Sequence, residues 1–134
     1  MAGGFDYKNF KKMCNKVTKA SKTIDQFLED FLVGEALEAL ALTKERTPVD
    51  TGKLRAAWKL AKTERTLNSI KIFLVNDVAY ASFMETGFTY EKQSQSVWRE
   101  GYHMAELSLL EIANRLPAKL NKAFTSWLTG VVFS

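Results

Sequence analysis

This chain is poor in the residues on which most small metalloproteins and redox enzymes depend. Its 134 residues include one cysteine, Cys14, and one histidine, His103. A lone cysteine cannot form an internal disulfide, and these two side chains cannot build a Cys/His metal cluster. The sequence also contains no glycine-rich phosphate loop and no nucleotide-binding fingerprint. We therefore expect a protein that is not an enzyme and that holds no cofactor and no metal.

Long uncharged apolar runs are missing as well. A membrane-spanning helix needs about 20 predominantly apolar residues, whereas the stretch from Phe27 to Leu42 is interrupted by Glu29, Asp30, Glu35 and Glu38. The N-terminus does not show a basic segment followed by an apolar one, which a secretory signal would require. We expect no membrane segment and a protein that stays in the cytoplasm where it is made.

The remaining composition is that of an ordinary globular domain. The hydrophobic share is 46% and the charged share 25%, and a chain of this length can bury roughly two-thirds of its unfolded surface in one core. We expect a single domain over residues 1–134. The net charge of +4 is compatible with a nucleic-acid surface, but scattered surface lysines and arginines produce the same value.

Helical periodicity dominates both ends of the chain. A short amphipathic helix is predicted over residues 5–20, with Cys14 half-buried on it, and a capping box at Thr23 predicts the start of a long helix that ends before Pro48. From His103 onward a second long helix is predicted, in which Pro117 should cause a kink or a fresh start. Its predicted core stripe comprises Met104, Leu107, Leu110, Ala113, Leu116, Leu120, Phe124 and Trp127.

Strand patterns occupy the middle of the chain. Apolar and other residues alternate over 56–61 and again over 70–75, with turn residues at 66–69, so we predict an antiparallel hairpin. A short helical turn stopped by Gly87 should follow, and then an exposed loop or hairpin arm over Phe88 to Ser96. The predicted class is α+β, with two long helices packed on a small antiparallel β-sheet and an extended loop or hairpin arm.

The segment from Thr47 to Arg55, Thr-Pro-Val-Asp-Thr-Gly-Lys-Leu-Arg, predicts a helix stop and a turn. Pro48 disfavours helical conformation in the residue before it, Asp50 and Thr51 can cap backbone N–H groups, and Gly52 can take a positive φ. Asp-Thr-Gly is also the catalytic triplet of aspartic peptidases, whose dimers pair two carboxylates. In those enzymes the triplet follows an apolar strand, whereas here it follows a predicted helix, so the peptidase remains an alternative that its context disfavours.

A small DNA-binding module is the other alternative. The lysines of the N-terminal helix could contact phosphates, and Tyr7 and Phe10 could stack on bases. The same distribution describes any amphipathic surface helix, and aromatic side chains such as Trp58 and Trp98 more often fill a core or a subunit interface. The sequence alone favours an interface.

Two motifs in a fixed order resemble a family of phage morphogenesis proteins, the tail-completion or neck proteins of long-tailed phages, which are related to tail terminators. The family pattern runs from a helix into Thr-Pro-x-Asp-Thr-Gly-x-Leu, a strand pair and a Tyr-Ala-x-x-x-Glu-x-Gly segment. The matching residues are Thr47, Pro48, Asp50, Thr51, Gly52, Leu54, Tyr80, Ala81, Glu85 and Gly87. The segment from Val97 to Met104 is similar to a branch found in defective prophages and in contractile, tail-like bacteriocin particles.

This resemblance implies a structural protein of the virion or tail-like particle, assembled in the bacterial cytoplasm. Such proteins form a homo-oligomeric ring, commonly a hexamer, at the upper end of the tail tube. The implied neighbours are tail tube and sheath proteins below and neck, collar or connector proteins above, with a passage for DNA but no sequence-specific binding.

The resemblance assigns structural roles to the motif residues and no catalysis. Asp50 would fix the turn between helix and strand, and Tyr80 and Glu85 would position the segment that leads to the arm. The arm and its aromatic neighbour are the candidates for assembly contacts: Phe88, Thr89, Tyr90, Glu91, Lys92, Gln93 and Trp98.

Overall fold

The computed structural model of the chain describes residues 7–49, 52–61 and 63–132. Over these ranges the elements are helix α1 (Tyr7–Arg46), helix α2 (Lys53–Ala56), strands β1 (Trp58–Leu60), β2 (Glu64–Arg65), β3 (Ile70–Lys71) and β4 (Leu74–Asn76), helix α3 (Ala81–Thr86), strands β5 (Gly87–Lys92) and β6 (Gln95–Glu100), and helix α4 (Met104–Val132). The predicted α+β class is confirmed.

Helix α1 is continuous, so the predicted break before Thr23 is wrong. A capping box stabilises a helix start only where the preceding chain leaves the helix. Neither glycine nor proline occurs between Phe5 and Val33, and nothing in that stretch forces the chain out of helical conformation. Cys14 is exposed rather than half-buried.

The end of α1 lies where the sequence predicts it. The helix ends at Arg46, before the Thr47-Pro48 pair, and Gly52 has the positive φ, 80°, that the turn prediction assigned to it. Asp50 and Thr51 lie outside the described residues, so their predicted capping roles stay predictions.

Helices α1 and α4 form an antiparallel pair. Arg46 near the end of α1 donates to Glu111 near the start of α4 at 2.9 Å, and Phe27 stacks on Trp127 far along α4 with ring centroids 5.2 Å apart. Between these points, Lys119 approaches the buried carboxylate of Glu35 at 2.7 Å.

The face of α4 that packs on α1 agrees with the predicted stripe at Phe124 and Trp127, which contact Phe27, but differs from it in the first turns of the helix. Met104, Ser108 and Ile112 are buried, whereas Leu107 and Leu110 are 47% and 52% exposed. Ser108 can lie in the interface because its hydroxyl donates to the Met104 carbonyl at 2.7 Å, which satisfies the buried group locally. The predicted positions Leu107 and Leu110 therefore lie outside the buried face, which Ser108 and Ile112 occupy in their place. The helix is also unbroken at Pro117, so the predicted fresh start does not occur.

The core lies where α4 begins. Leu54 of α2, Trp58 of β1, Ala81 of α3 and Met104 of α4 form one buried cluster. The indole N–H of Trp58 donates to the hydroxyl of buried Thr47 at 2.9 Å, which joins the cluster to the end of α1.

The predicted antiparallel hairpin is present, but as separate ladders. Trp58 pairs with Asn76 and Leu60 with Leu74 in the first ladder, whereas Glu64 pairs with Lys71 in the second. The two ladders belong to separate two-stranded sheets. Over the described residues, three two-stranded sheets take the place of the single small sheet that was predicted.

A pair of Gly→Ala variants tests the turn that ends this part of the fold. Neither Gly52 nor Gly34 has an atom within 4 Å of an added Cβ, so the difference between them is conformational. Gly52→Ala should destabilise the protein by about 1–2 kcal/mol because an L-residue resists the left-handed region. Gly34→Ala, inside α1, should stabilise it by about 0.5–1 kcal/mol. Urea denaturation measures both, and an unchanged stability of Gly52→Ala would contradict the positive φ.

Candidate assembly site

Strands β5 and β6 form an extended hairpin, which we call the arm (residues 87–100). Its register runs from Gly87 opposite Glu100 at the base to Lys92 opposite Gln95 at the tip. Gln93 and Ser94 make the two-residue turn with φ values of 52° and 67°, as a type I′ hairpin requires. Of the predicted loop or hairpin, the hairpin is found, and it begins one residue earlier and ends four residues later than the predicted segment.

One face of the arm carries a row of aromatic rings, which we call the aromatic row: Phe83, Phe88 and Tyr90. The ring centroids of Phe83 and Phe88 are 6.1 Å apart, and those of Phe88 and Tyr90 are 6.0 Å apart. Phe83 is 55% exposed and Tyr90 40% exposed. The row therefore presents apolar surface to solvent from α3 outward along β5.

The opposite face of the arm is built around Trp98, which is 56% exposed. Its indole N–H donates to Glu100 at 2.9 Å. A Cβ added at Gly87 would lie 2.6 Å from the Trp98 ring and 2.5 Å from the Arg99 carbonyl, and Gly87 has a φ of 110°. Only glycine fits this position at the base of the arm without displacing its neighbours.

Glu85 fixes the base of the arm to the start of α4. Its carboxylate accepts the backbone N–H of Ala105 at 3.0 Å and that of Glu106 at 2.9 Å. The first N–H groups of a helix have no partner within the helix, and a carboxylate there also interacts favourably with the helix dipole. The backbone N–H groups of Tyr102 and His103 donate to the carbonyls of Met84 and Glu85. The chain thus leaves α3, forms the arm and returns to the same point.

His103 adds an electrostatic contact at this junction. Its ring nitrogens lie 2.5 Å from a Glu100 oxygen and 2.8 Å from a Glu106 oxygen. Hydrogen bonds that the Glu100 carboxylate and, second, the Glu106 carboxylate accept from the ring raise the pKa of the imidazole above its ordinary value. The indole of Trp98, followed by His103, lowers the pKa of the Glu100 carboxyl. His103 has a φ of 50°, so the backbone accepts an unfavoured conformation where the arm joins α4.

The structure brings the two sequence motifs together. Leu54 of the first motif and Ala81 of the second lie in one buried cluster, and Thr47 reaches it through Trp58. Pro48 is partly buried, and Tyr80, 40% exposed, precedes α3.

The remaining sequence-predicted residues spread over the arm. Gly87 and Glu85 lie at its base. Thr89 and Glu91 alternate with Tyr90 and Lys92 along β5, and Gln93 stands in the turn at the tip; all of these are exposed.

Sequence reasoning missed Phe83, Glu100 and the pairing of His103. Phe83 precedes the arm and lies on a predicted helical turn, so periodicity gave no reason to group it with Phe88. The alternation of Phe88 and Tyr90 along a strand did contain the signal for a shared face. Nothing local in the sequence indicated that Glu85 would reach a helix that starts 19 residues later.

Comparison with known families identifies the chain. Residues 11–87 match the HK97-gp10-like family model, described as "Bacteriophage HK97-gp10, putative tail-component". This match covers more than half of the chain, which therefore belongs to that family. The chain is thus a structural component of a phage tail, associated with the virion. Searches of curated proteins and of solved structures find no significant match.

The family match ends at Gly87, the residue where the arm begins. The arm and α4 therefore lie outside the matched region, although Met104 of α4 completes the core of the matched part.

Two further observations concern other kinds of site. In the described part of the chain, no group of three His, Cys, Asp or Glu side chains is placed to hold a metal ion. No helix within those same ranges is long and apolar enough to cross a bilayer. The Asp50-Thr51-Gly52 triplet stands between α1 and α2 rather than at the end of a strand, unlike the peptidase pattern.

Removing the Glu85 carboxylate should loosen the start of α4. Glu85→Ala deprives two helix N–H groups of their acceptor, and we expect a loss of about 1–2 kcal/mol of unfolding free energy. Urea denaturation gives the free energy, and hydrogen exchange at Ala105 and Glu106 locates the change. Glu91→Ala on the exposed arm is the matched control and should stay within about 0.5 kcal/mol of the wild type. Equal effects of the two variants would contradict the capping role.

The single histidine provides a direct test of the junction. We expect an NMR titration of His103 to give a pKa above the ordinary value of about 6.5, and Glu100→Gln to lower it. The contacts with the carboxylates stabilise the protonated imidazole and so raise its pKa in the folded state. Their contribution to the free energy of unfolding is therefore complete below the ordinary pKa and is lost as the pH rises through the raised pKa. Glu91→Gln should leave the titration unchanged. A wild-type pKa at or below the ordinary value would show that the carboxylates do not hold the imidazolium.

Proposed function

We propose that this tail component is a tail-completion protein that forms a homo-oligomeric ring at the head-proximal end of the tail tube. It would end tube growth and present a surface to neck, collar or connector proteins. The observation that carries the proposal is the arm: an exposed aromatic hairpin, anchored by Glu85, on the core of a phage tail-component family.

An isolated two-stranded hairpin is at best marginally stable in water, and exposed aromatic rings are typical of interface cores. The arm has a row of such rings on one face and a half-exposed Trp98 on the other. Partners that bury these faces would complete its stabilisation. A closed ring supplies such partners at every position, because each protomer offers one surface and receives another.

The position at the head-proximal end rests on the two ordered motifs shared with tail-completion and neck proteins. The hexameric stoichiometry and the passage for DNA rest on the same resemblance. The net charge of +4 would suit a channel through which DNA moves without sequence-specific contacts.

Electron microscopy of particles from producing cells, with gold bound to a tag on this chain, tests the position. We expect label at one end of the tail tubes, at the junction with the head or collar. Label along the whole tube, or on no particle, would contradict the terminator role. Native mass spectrometry of the purified chain should give a closed oligomer of one defined mass, and a monomer at all concentrations would contradict the ring.

The peptidase alternative is tested in the same preparation. Asp50→Asn should leave the oligomer and the labelling pattern intact, because one hydrogen-bonding cap replaces another. Peptide cleavage by the wild type that Asp50→Asn abolishes would instead establish the enzyme.

A further inference from the structure

We propose that the aromatic row of one protomer docks into an apolar groove between α1 and α4 of the next protomer. This inference rests on the ring proposed above and names the contact that would build it. The groove has a volume of about 590 Å³.

The walls of the groove are apolar. Leu28, Phe31 and Leu32 of α1 face Leu116 and Leu120 of α4, and the turn between β2 and β3 closes one side. Leu67 of that turn is fully exposed at the rim. A depression of this size is within the range of pockets that enclose aromatic groups, about 300–1,000 Å³. The groove can therefore accept ring side chains such as those of Phe88 and Tyr90.

The charges of the two surfaces are complementary. Lys92 and Arg99 lie on the same face of the arm as the aromatic row, since residues of β5 and their partners in β6 share faces by register. Among the described residues neither cation forms an ion pair. The groove has an acidic residue, Asp25, that is likewise unpaired within the described ranges, whereas its one basic residue, Arg65, is held by Glu29. The aromatic face of the arm thus carries two cations without an ion pair to any described residue, and the apolar groove carries the carboxylate of Asp25, which its lining arginine does not neutralise.

None of the described residues that line the groove belongs to the arm of the same chain. Glu85 holds the base of the arm at Ala105, whereas the groove begins near Leu116, about 17 Å further along α4. The groove is therefore open to the arm of a second protomer. Contact between the arm of one protomer and the groove of another joins two different surfaces, and such heterologous contacts form a ring when the rotation between neighbouring protomers closes.

Disulfide crosslinking tests the contact directly. In a Cys14→Ser background, chains with Tyr90→Cys are mixed with differently tagged chains with Leu116→Cys, and the assembled ring is oxidised. We expect a mixed dimer carrying both tags. Glu91→Cys, on the opposite face of the arm, is the matched control and should give a mixed dimer at least about tenfold less abundant.

A charge exchange provides an independent readout. Arg99→Glu should weaken ring assembly by about tenfold or more, because it places like charges opposite each other. Asp25→Arg in the same chain should restore assembly by restoring the opposite charges. Native mass spectrometry over a concentration series measures the change, and circular dichroism checks that each variant is folded.

The outcomes separate the inference from the proposed function. Rings can form and yet crosslink between two Tyr90→Cys chains, or give no product between Tyr90→Cys and Leu116→Cys. Either result would overturn the arm-to-groove contact but leave the proposed ring standing. Assembly of Arg99→Glu that Asp25→Arg does not restore would also overturn it. A wild-type chain that forms no oligomer would remove the ring and the contact together.

Discussion

The contact between Glu85 and the first N–H groups of α4 is the constraint on which the rest of the molecule depends. It ties the end of α3 to the start of α4, so the chain between them must leave and return at one place. A hairpin with in-register strands meets that condition, and Gly87 lets β5 approach Trp98 and the Arg99 carbonyl closely at the base of the hairpin. Met104, the residue before Ala105, lies in the buried cluster with Leu54 and Trp58. One side chain thus couples the core, the arm and the antiparallel helix pair.

Much of this fold follows from local chemistry that a sequence shows directly. Pro48 restricts the residue before it and α1 ends at Arg46, Gly52 takes a positive φ, and Gly87 stops α3. These positions were predictable because each depends on one residue and its immediate neighbours. The alternation at Trp58, Lys59 and Leu60 likewise predicted one buried and one exposed face, as found.

The errors have a different origin, since they concern contacts between distant segments. The predicted stripe on α4 counted only apolar residues, whereas the real interface includes Ser108, whose hydroxyl bonds within α4 and accepts from Arg46 at 2.8 Å. The capping box at Thr23 was a correct local pattern that a continuous helix overrode. The Glu85 cap joins residues that precede and follow the arm in the chain. Hydrophobic periodicity within a segment does not predict such a contact between segments. The sequence therefore predicted which segment forms the candidate site, but not which side chains of that segment come into contact.

The family match ends at the base of the arm. Residues up to Gly87 carry the pattern common to this group of tail components, while the arm lies just beyond it. A surface hairpin can change its side chains without disturbing a core to which it contributes little, provided that its base remains anchored. Glu85 supplies that anchor from inside the matched region.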